Sequence, residues 1–434
     1  MSAQSSQRPA AGAPAGPARR SATLLVLDGL GVGALPDAAR LRAADATADT
    51  LGAVARWSLA HRRRPLRVPH LAGLGLAAVR PDLAGAMARP VPLLRAAGAR
   101  SALGYPGADS FAGHQTLMGA DMSHVVLRRL AESQAEVAAA LKAAGHRVEP
   151  LAGGPVLVVD GAALVHDNLE ADPGLNWNVS CRLADLPFEE VVAVARTVRA
   201  VAPVARVIAV GGDSDGPLAE AVRPGADGTV GLDTPASGFY RNGGLRVLHL
   251  GAEVDHRRQL HGAAAAQGRP VALVGKAADL LRTDAEVERR FEVETERILA
   301  SVRELAGRGL VVANVQRTDL AGHSRDAEAF ADQLELVDAA LPGVAERLGP
   351  DDLLVVTGDH GNDPAAGHPF HTREWVPVLA ATGGPPGAVR GADLATLADV
   401  GASAARWLRL GRDATAVGTA TDLLAPAPGA PGAH

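Results

Sequence analysis

Thr23-Leu24-Leu25-Val26-Leu27-Asp28-Gly29-Leu30-Gly31-Val32-Gly33 decides the fold class of this chain. A short apolar run stops at a carboxylate set among glycines. A strand wetted on one face alternates apolar and polar residues, and this one does not. Both of its faces are therefore predicted to be buried, as in a parallel sheet covered by helices. The pattern returns near the other terminus. Leu310-Val311-Val312-Ala313-Asn314-Val315 runs on toward Asp319, and Leu353-Leu354-Val355-Val356-Thr357 runs into Asp359 and His360. A further apolar strand follows at Val376-Pro377-Val378-Leu379-Ala380. Apolar residues at helical spacing fill 285–306 and 326–348, and the alternation predicts an α/β fold with a mostly parallel sheet.

The middle of the chain has another texture. Helical patterns at 126–144 and 187–202 flank strands at 156–159 and 205–210, with Gly-rich turns between them. Residues suited to chemistry are sparse there and dense on both sides. The expected organisation is a catalytic core built from 22–122 and 251–424, with 123–250 inserted as a smaller α/β cap. Residues 1–21 and 425–434, rich in Ala, Pro and Gly, read as disordered tails.

Composition narrows the function classes. The 434 residues carry a formal net charge of −5, which offers no basic field for nucleic acid. Cys181 is the sole cysteine, so intrachain disulfides and cysteine-rich zinc sites are excluded. No stretch approaches the eighteen or so unbroken apolar residues of a membrane span. A cytoplasmic enzyme is expected; the sequence leaves its oligomeric state open.

Four segments place acids and imidazoles just beyond strands: Asp28; Asp109 and Ser110 in GADSFAGH; Asp319 and His323 in TDLAGHSRD; and Asp359, His360 and His371 in TGDHGNDPAAGHPFHTRE. Loops at the carboxyl ends of parallel strands open on one edge, so these groups can converge. An Asp/His set without thiolates suits divalent manganese, zinc or magnesium. Two such ions outweigh Asp28, Asp319 and Asp359 by one positive charge, which favours a phosphate or an alkoxide. A serine hydroxyl in that field becomes a competent nucleophile.

These residues also carry a resemblance. VLDGLGVGALPDA (26–38), ADTLGAVA (48–55), DSFAGH (109–114), GKAADL (275–280), NVQRTDLAGHSRD (314–326) and TGDHGND…HTREWVPVL (357–379) resemble the phosphopentomutases and their relatives in the alkaline phosphatase superfamily. The resemblance implies a metal-bearing α/β core with an inserted cap, manganese as the cofactor, and a cytoplasmic enzyme acting on a sugar phosphate. Asp28, Asp359 and His360 would hold one ion, and Asp319, His323 and His371 the other. Ser110 would bridge both and carry a phosphoryl group, standing where the phosphopentomutases have threonine. Lys276 would help neutralise substrate phosphate, with His114 as a further substrate contact; apart from the resemblance, Arg241 has the charge to pair with a phosphate or to stand on the surface.

The implied reaction moves a phosphoryl group between positions of a pentose phosphate or a related sugar phosphate. The alternative is a phosphatase or phosphodiesterase using the same site with water. The cap departs from the family: its Arg-Thr…Asn-Arg-His-Asp pattern is missing, and His166, Asp167, Asn176 and Trp177 form a polar and aromatic patch instead. Gly29-x-Gly31-x-Gly33 also suggests nucleotide binding, but its spacing is not that of a dinucleotide fingerprint.

Overall fold

The computed structural model describes residues 20–429. Among these residues sixteen strands lie in three sheets. In chain order they are β1 (Ser21–Leu27), β2 (Arg95–Ser101), β3 (Val148–Pro150), β4 (Leu157–Val159), β5 (Ala163–Asp167), β6 (Asn176–Arg182), β7 (Arg206–Gly212) and β8 (Val222–Pro224). There follow β9 (Val230–Leu232), β10 (Arg246–Gly251), β11 (Val271–Gly275), β12 (Glu288–Arg290), β13 (Leu310–Val315), β14 (Asp352–Thr357), β15 (Val376–Thr382) and β16 (Gly387–Arg390).

The large sheet has the order β12-β11-β13-β1-β14-β15-β2-β16. Every neighbouring pair is parallel except those made by β15, which runs against both β14 and β2. β1 lies at the centre and is buried along its whole length. Its side chains alternate between two cores, as a pleated strand requires. Ala22, Leu24 and Val26 join the core beneath helices Ser110–Leu117 and Leu397–Trp407. Leu25 and Leu27 join the opposite core beneath helices Thr50–His61, Thr295–Leu305 and Ala327–Ala345. Helices on both faces explain why β1, β13 and β14 read as unbroken apolar runs. The mostly parallel α/β architecture is the one expected.

Residues 148–251 build a second sheet in the order β10-β7-β6-β5-β4-β3, in which only β6 and β7 are parallel. Helices Gln134–Ala143 and Phe188–Val201 cover it with a separate apolar core that includes Trp177, Val191 and Val207. β8 and β9 form a small hairpin sheet of their own.

Three expectations need correction. The helix expected over 285–306 is a helix only at Thr295–Leu305, because its first part forms the edge strand β12. Val287, Arg289, Phe291 and Val293 alternate with acids and Arg290, which is strand spacing. The helix expected over 126–144 is confined mainly to Gln134–Ala143. The chain ends are also ordered further out than expected. Ser21 already belongs to β1, and the Ala427 amide donates to the Arg390 carbonyl at 2.8 Å. The remainder of both expected tails, 1–19 and 430–434, lies outside the described residues. Among the described residues no helix is long and apolar enough to cross a membrane.

Candidate metal centre and active site

Because β13, β1 and β14 are parallel neighbours, the residues that follow them emerge side by side. Leu27 pairs with Val315 and Val26 with Thr357, so Asp28, the 316–323 segment and Asp359-His360 share one edge. After Val315 the chain enters helix Arg317–His323, where Asp319 and His323 stand four residues apart on one face. His371 arrives from the opposite chain direction, in the loop that precedes the reversed strand β15. Ser110 is the first residue of helix Ser110–Leu117, and the Asp109 carboxylate caps that helix by accepting from the Ala112 amide at 2.9 Å.

Two glycines permit the approach. Gly29, at φ +75°, turns the chain just after Asp28 and donates its amide to Asp359 Oδ1 at 3.1 Å. At Gly113 a Cβ atom would lie 2.7 Å from the Asp359 carbonyl oxygen, so any side chain there would push helix and loop apart.

The groups converge closely. Ser110 Oγ is 3.0 Å from Asp28 Oδ1, 3.0 Å from Asp359 Oδ2, 2.9 Å from His360 Nε2 and 2.7 Å from Lys276 Nζ. Lys276 also donates to Asp28 Oδ2 at 2.8 Å and lies 3.7 Å from Asp319. His323 Nε2 and His371 Nε2 face each other at 3.1 Å, and each is 3.4 Å from the Asp319 carboxylate. The rings of His360 and His371 stack at 3.8 Å. All six sequence-predicted acid and imidazole residues, Ser110 and Lys276 thus form one cluster.

The tautomers indicate what the cluster can hold. Nδ1 of His323 contacts the Pro369 carbonyl at 2.6 Å, that of His360 the Gly361 carbonyl at 3.0 Å, and that of His371 the Ala108 carbonyl at 3.0 Å. A carbonyl only accepts, so each Nδ1 carries the proton and Nε2 is the atom turned inward; to hold a cation Nε2 must be bare, which for His371 means giving up the proton that Asp319 favours there. Three inward-facing Nε2 atoms and three carboxylates crowd together here, and beside Ser110 and Lys276 only neutral amides and the buried His114 approach the carboxylates, among them Gly29, Asn314 and Asn362. Acceptors gathered at this density need cations between them. Ligand atoms of Asp28, Asp359 and His360 lie within 4.8 Å of one another, and so do those of Asp319, His360 and His371. The residues fit a pair of divalent ions of the manganese, zinc or magnesium kind.

Electrostatics tell the same story. Burial together with the charge of Asp359 pushes the Asp28 carboxyl up. Asp359 is driven well below the carboxylate range, because His360, His114 and Lys276 outweigh its burial. Burial opposes the charge on Lys276, but Asp28, Asp319 and Asp359 hold it protonated, above its ordinary value. His371 is raised to about 9: burial lowers it, and Asp319 more than compensates. Acids pushed apart in this way mark a site built for positive charge.

The other predicted contacts are placed differently. His114 is fully buried below the serine, with Nδ1 2.8 Å from the Ser110 carbonyl and 3.2 Å from Asp359. It supports the first turn of helix Ser110–Leu117 and does not line the cavity. Arg241 lies on the surface between β9 and β10, donating to Asp215 at 2.5 Å and to the Pro235 carbonyl at 2.7 Å. We expect Arg241→Ala to leave kcat and KM unchanged; a tenfold rise in KM would put Arg241 back in the substrate site.

Of the polar and aromatic patch, His166 is tied to Ser180 and to the Asp167 carbonyl. Asp167 accepts from the Leu130 and Val230 amides, and Trp177 donates to the Arg128 carbonyl. These three are structural. Asn176 is buried with neither amide atom partnered, and it lines a cavity of about 220 Å³ that also exposes Ser110, Lys276 and His371.

Arg206, which opens β7, also lines that cavity and was not anticipated. Its guanidinium donates to Asp109 at 2.6 Å, while its buried Nε has no partner. The one signal in the sequence was an arginine at the head of an apolar strand. Asn314 was missed as well; it bridges Asp28 Oδ2 and His114 Nε2, each at 3.0 Å.

A parallel α/β core whose loops assemble this donor set around a serine defines a metalloenzyme, and the chain belongs to the Metalloenzyme superfamily, whose profile matches residues 20–411. Curated relatives match it almost end to end. The phosphopentomutase of Methylobacterium radiotolerans is 34% identical, covering 90% of this chain and 98% of its own. That of Methylobacterium nodulans is 33% identical, over 90% and 97%, and that of Chromohalobacter salexigens 31% identical, over 95% and 98%. Within the superfamily this chain is a phosphopentomutase-like phosphotransferase of the isomerase class, a metal-dependent phosphomutase.

Proposed function

We propose that the enzyme moves a phosphoryl group between positions of a pentose phosphate, or a closely related sugar phosphate, through a phosphoserine at Ser110. The observation that carries this reading is the placement of Ser110 Oγ, which lies within 3.0 Å of two carboxylates and an imidazole and 2.7 Å from a lysine held protonated. Asp28, Asp359 and His360 would hold one ion and Asp319, His323 and His371 the other, with the Ser110 hydroxyl as a further ligand. Manganese is the proposed metal. When bound, the pair of ions supplies charge neutralisation for the transferring phosphoryl group and for the serine oxygen.

In the first step a sugar hydroxyl attacks phosphorus. The bond from phosphorus to Ser110 Oγ breaks as the bond to the sugar oxygen forms, and the hydroxyl proton ends on Ser110. The bisphosphate then returns its other phosphoryl group to Ser110 by the reverse exchange. Lys276 stabilises charge on Oγ while it leaves or attacks. Arg206 has donors left over after pairing with Asp109, and these suit a phosphoryl oxygen. The smaller unit, residues 123–250, acts as a cap that keeps water from the phosphoserine. A cytoplasmic location completes the proposal and fits the single reduced cysteine.

Product analysis with ribose 1-phosphate tests the function. Isomerised sugar phosphate is expected; inorganic phosphate without isomer would replace the mutase with a hydrolase. Arg206→Ala is expected to lower kcat by roughly 100-fold, the order seen when one transition-state donor is removed, with Mn²⁺ uptake unchanged. Wild-type turnover in that variant would remove Arg206 from the mechanism.

A further inference from the structure

Two motifs, ADTLGAVA (48–55) and the His-Thr-Arg-Glu of 371–374, contribute Thr50 and Glu374, neither of which has a part in the chemistry above. In space these two residues touch. We propose that Glu374 and Thr50 form a buried clasp that sets the distance between the Asp28 loop and the Asp359-His360 loop, and with it the affinity of the centre for its ions. The proposal rests on the metal-centre reading given above.

Glu374 is fully buried, and among the described residues it forms no ion pair. Its carboxylate is surrounded by donors alone. The amides of Gly33 and Thr50 each reach Oε2 at 3.0 Å, and the hydroxyls of Thr50 and Thr372 each reach Oε1 at 2.6 Å. Burial pushes this carboxyl up to about 7, while the four donors favour its ionised form, which accepts on both oxygens without a proton in the way; a glutamine amide would turn an NH₂ group toward two donors.

A threonine hydroxyl has one proton. When it points at Glu374, the oxygen lone pairs are left to face the metal loop. There Thr50 Oγ1 accepts from the Asn362 amide at 3.1 Å, and Thr372 Oγ1 accepts from the Asp363 amide at 3.2 Å. Asn362 in turn donates its side-chain NH₂ to Asp319 Oδ1 at 2.8 Å. Gly33 closes the turn that Asp28 begins. One buried carboxyl group therefore ties together three segments: 28–33, 359–363, and the 371–374 stretch that carries His371. The fit is tight, since a Cβ atom on Gly31 would lie 2.2 Å from Glu374 Oε2. Glu374 touches no reacting atom, so it is a positioning residue.

Calorimetric titration of the metal-free full-length chain with Mn²⁺ tests the clasp. Glu374→Gln and Thr50→Val are each expected to weaken Mn²⁺ binding about 10- to 100-fold, the range for partners that orient metal ligands. The double variant should bind no more weakly than the worse single one, because both remove the same device. Thr50→Ser keeps the hydroxyl and should bind as the wild type does. A residue that only supports the fold would lower the melting temperature and leave Mn²⁺ affinity untouched, and that result would overturn the proposal. If Glu374→Gln does not fold, the contrast between Thr50→Val and Thr50→Ser decides alone, with equal affinities overturning the clasp. A wild-type chain that takes up no Mn²⁺ would overturn the metal centre itself, and the clasp with it.

Discussion

Replacing Ser110 with alanine is expected to lower turnover by at least about 10⁴-fold, as removal of a nucleophile does in other covalent mechanisms, with the fold intact. The hydroxyl is the one group within hydrogen-bonding reach of Asp28, Asp359, His360 and Lys276 together. The nearby Thr318 hydroxyl is committed to the carbonyls of Asp28 and Val315 and cannot take its place. Structure should survive because the helix is capped by the Asp109 side chain, which the change leaves alone. Ser110→Thr keeps a hydroxyl and should retain activity. Mass spectrometry of the purified wild type should find one added phosphoryl group on the Ser110 peptide, absent from Ser110→Ala. Undiminished turnover by the alanine variant would end the phosphoserine proposal.

Stripping the metals should have an effect of similar size. Chelation is expected to abolish turnover, and added Mn²⁺ to restore it. Asp28, Asp319 and Asp359 sit together almost without solvent, and in the absence of ions their repulsion is relieved by Lys276 and the neighbouring imidazoles, which carry less positive charge than two divalent ions would bring. Bound ions should therefore stabilise the fold. An ion present at 100 times its dissociation constant contributes about 2.7 kcal/mol, so the melting temperature should climb with free Mn²⁺. Asp359→Asn should flatten that climb, since it removes charge at the point where Gly29, Ser110 and His114 all meet the carboxylate. A melting temperature indifferent to both chelator and Mn²⁺ would mean that the cluster holds no ion.

Much of the catalytic edge was legible in the sequence because the signal there is local. An apolar run ending at Asp28 or Asp359 reports both a doubly covered strand and the polar group at its end. Asp319 and His323 carry a helical spacing that survives in the fold. What escaped depends on contacts between distant segments. Nothing around Arg206 announces Asp109, nearly a hundred positions away, and nothing around Thr50 announces Glu374. Arg241 looked like a phosphate ligand because a charged side chain in a Gly-rich loop has no local mark to say whether it faces a cavity or a neighbouring acid such as Asp215. Strand direction was equally hidden: Val376–Thr382 reads as apolar whichever way it runs.

That direction has a consequence for how the centre orders itself. In a wholly parallel sheet the segment leading into a strand lies on the far edge from the segment leaving its neighbour. Since β15 runs back alongside β14, the single connection 358–375 leaves and re-enters the sheet on one side, and it supplies Asp359, His360 and His371 without crossing over. Half of the proposed donors therefore share one tether. Order imposed on that tether at one site is therefore felt at the other, so a substitution that loosens it should weaken the uptake of both cations in a Mn²⁺ titration, and a loss confined to one would show the sites to be independent.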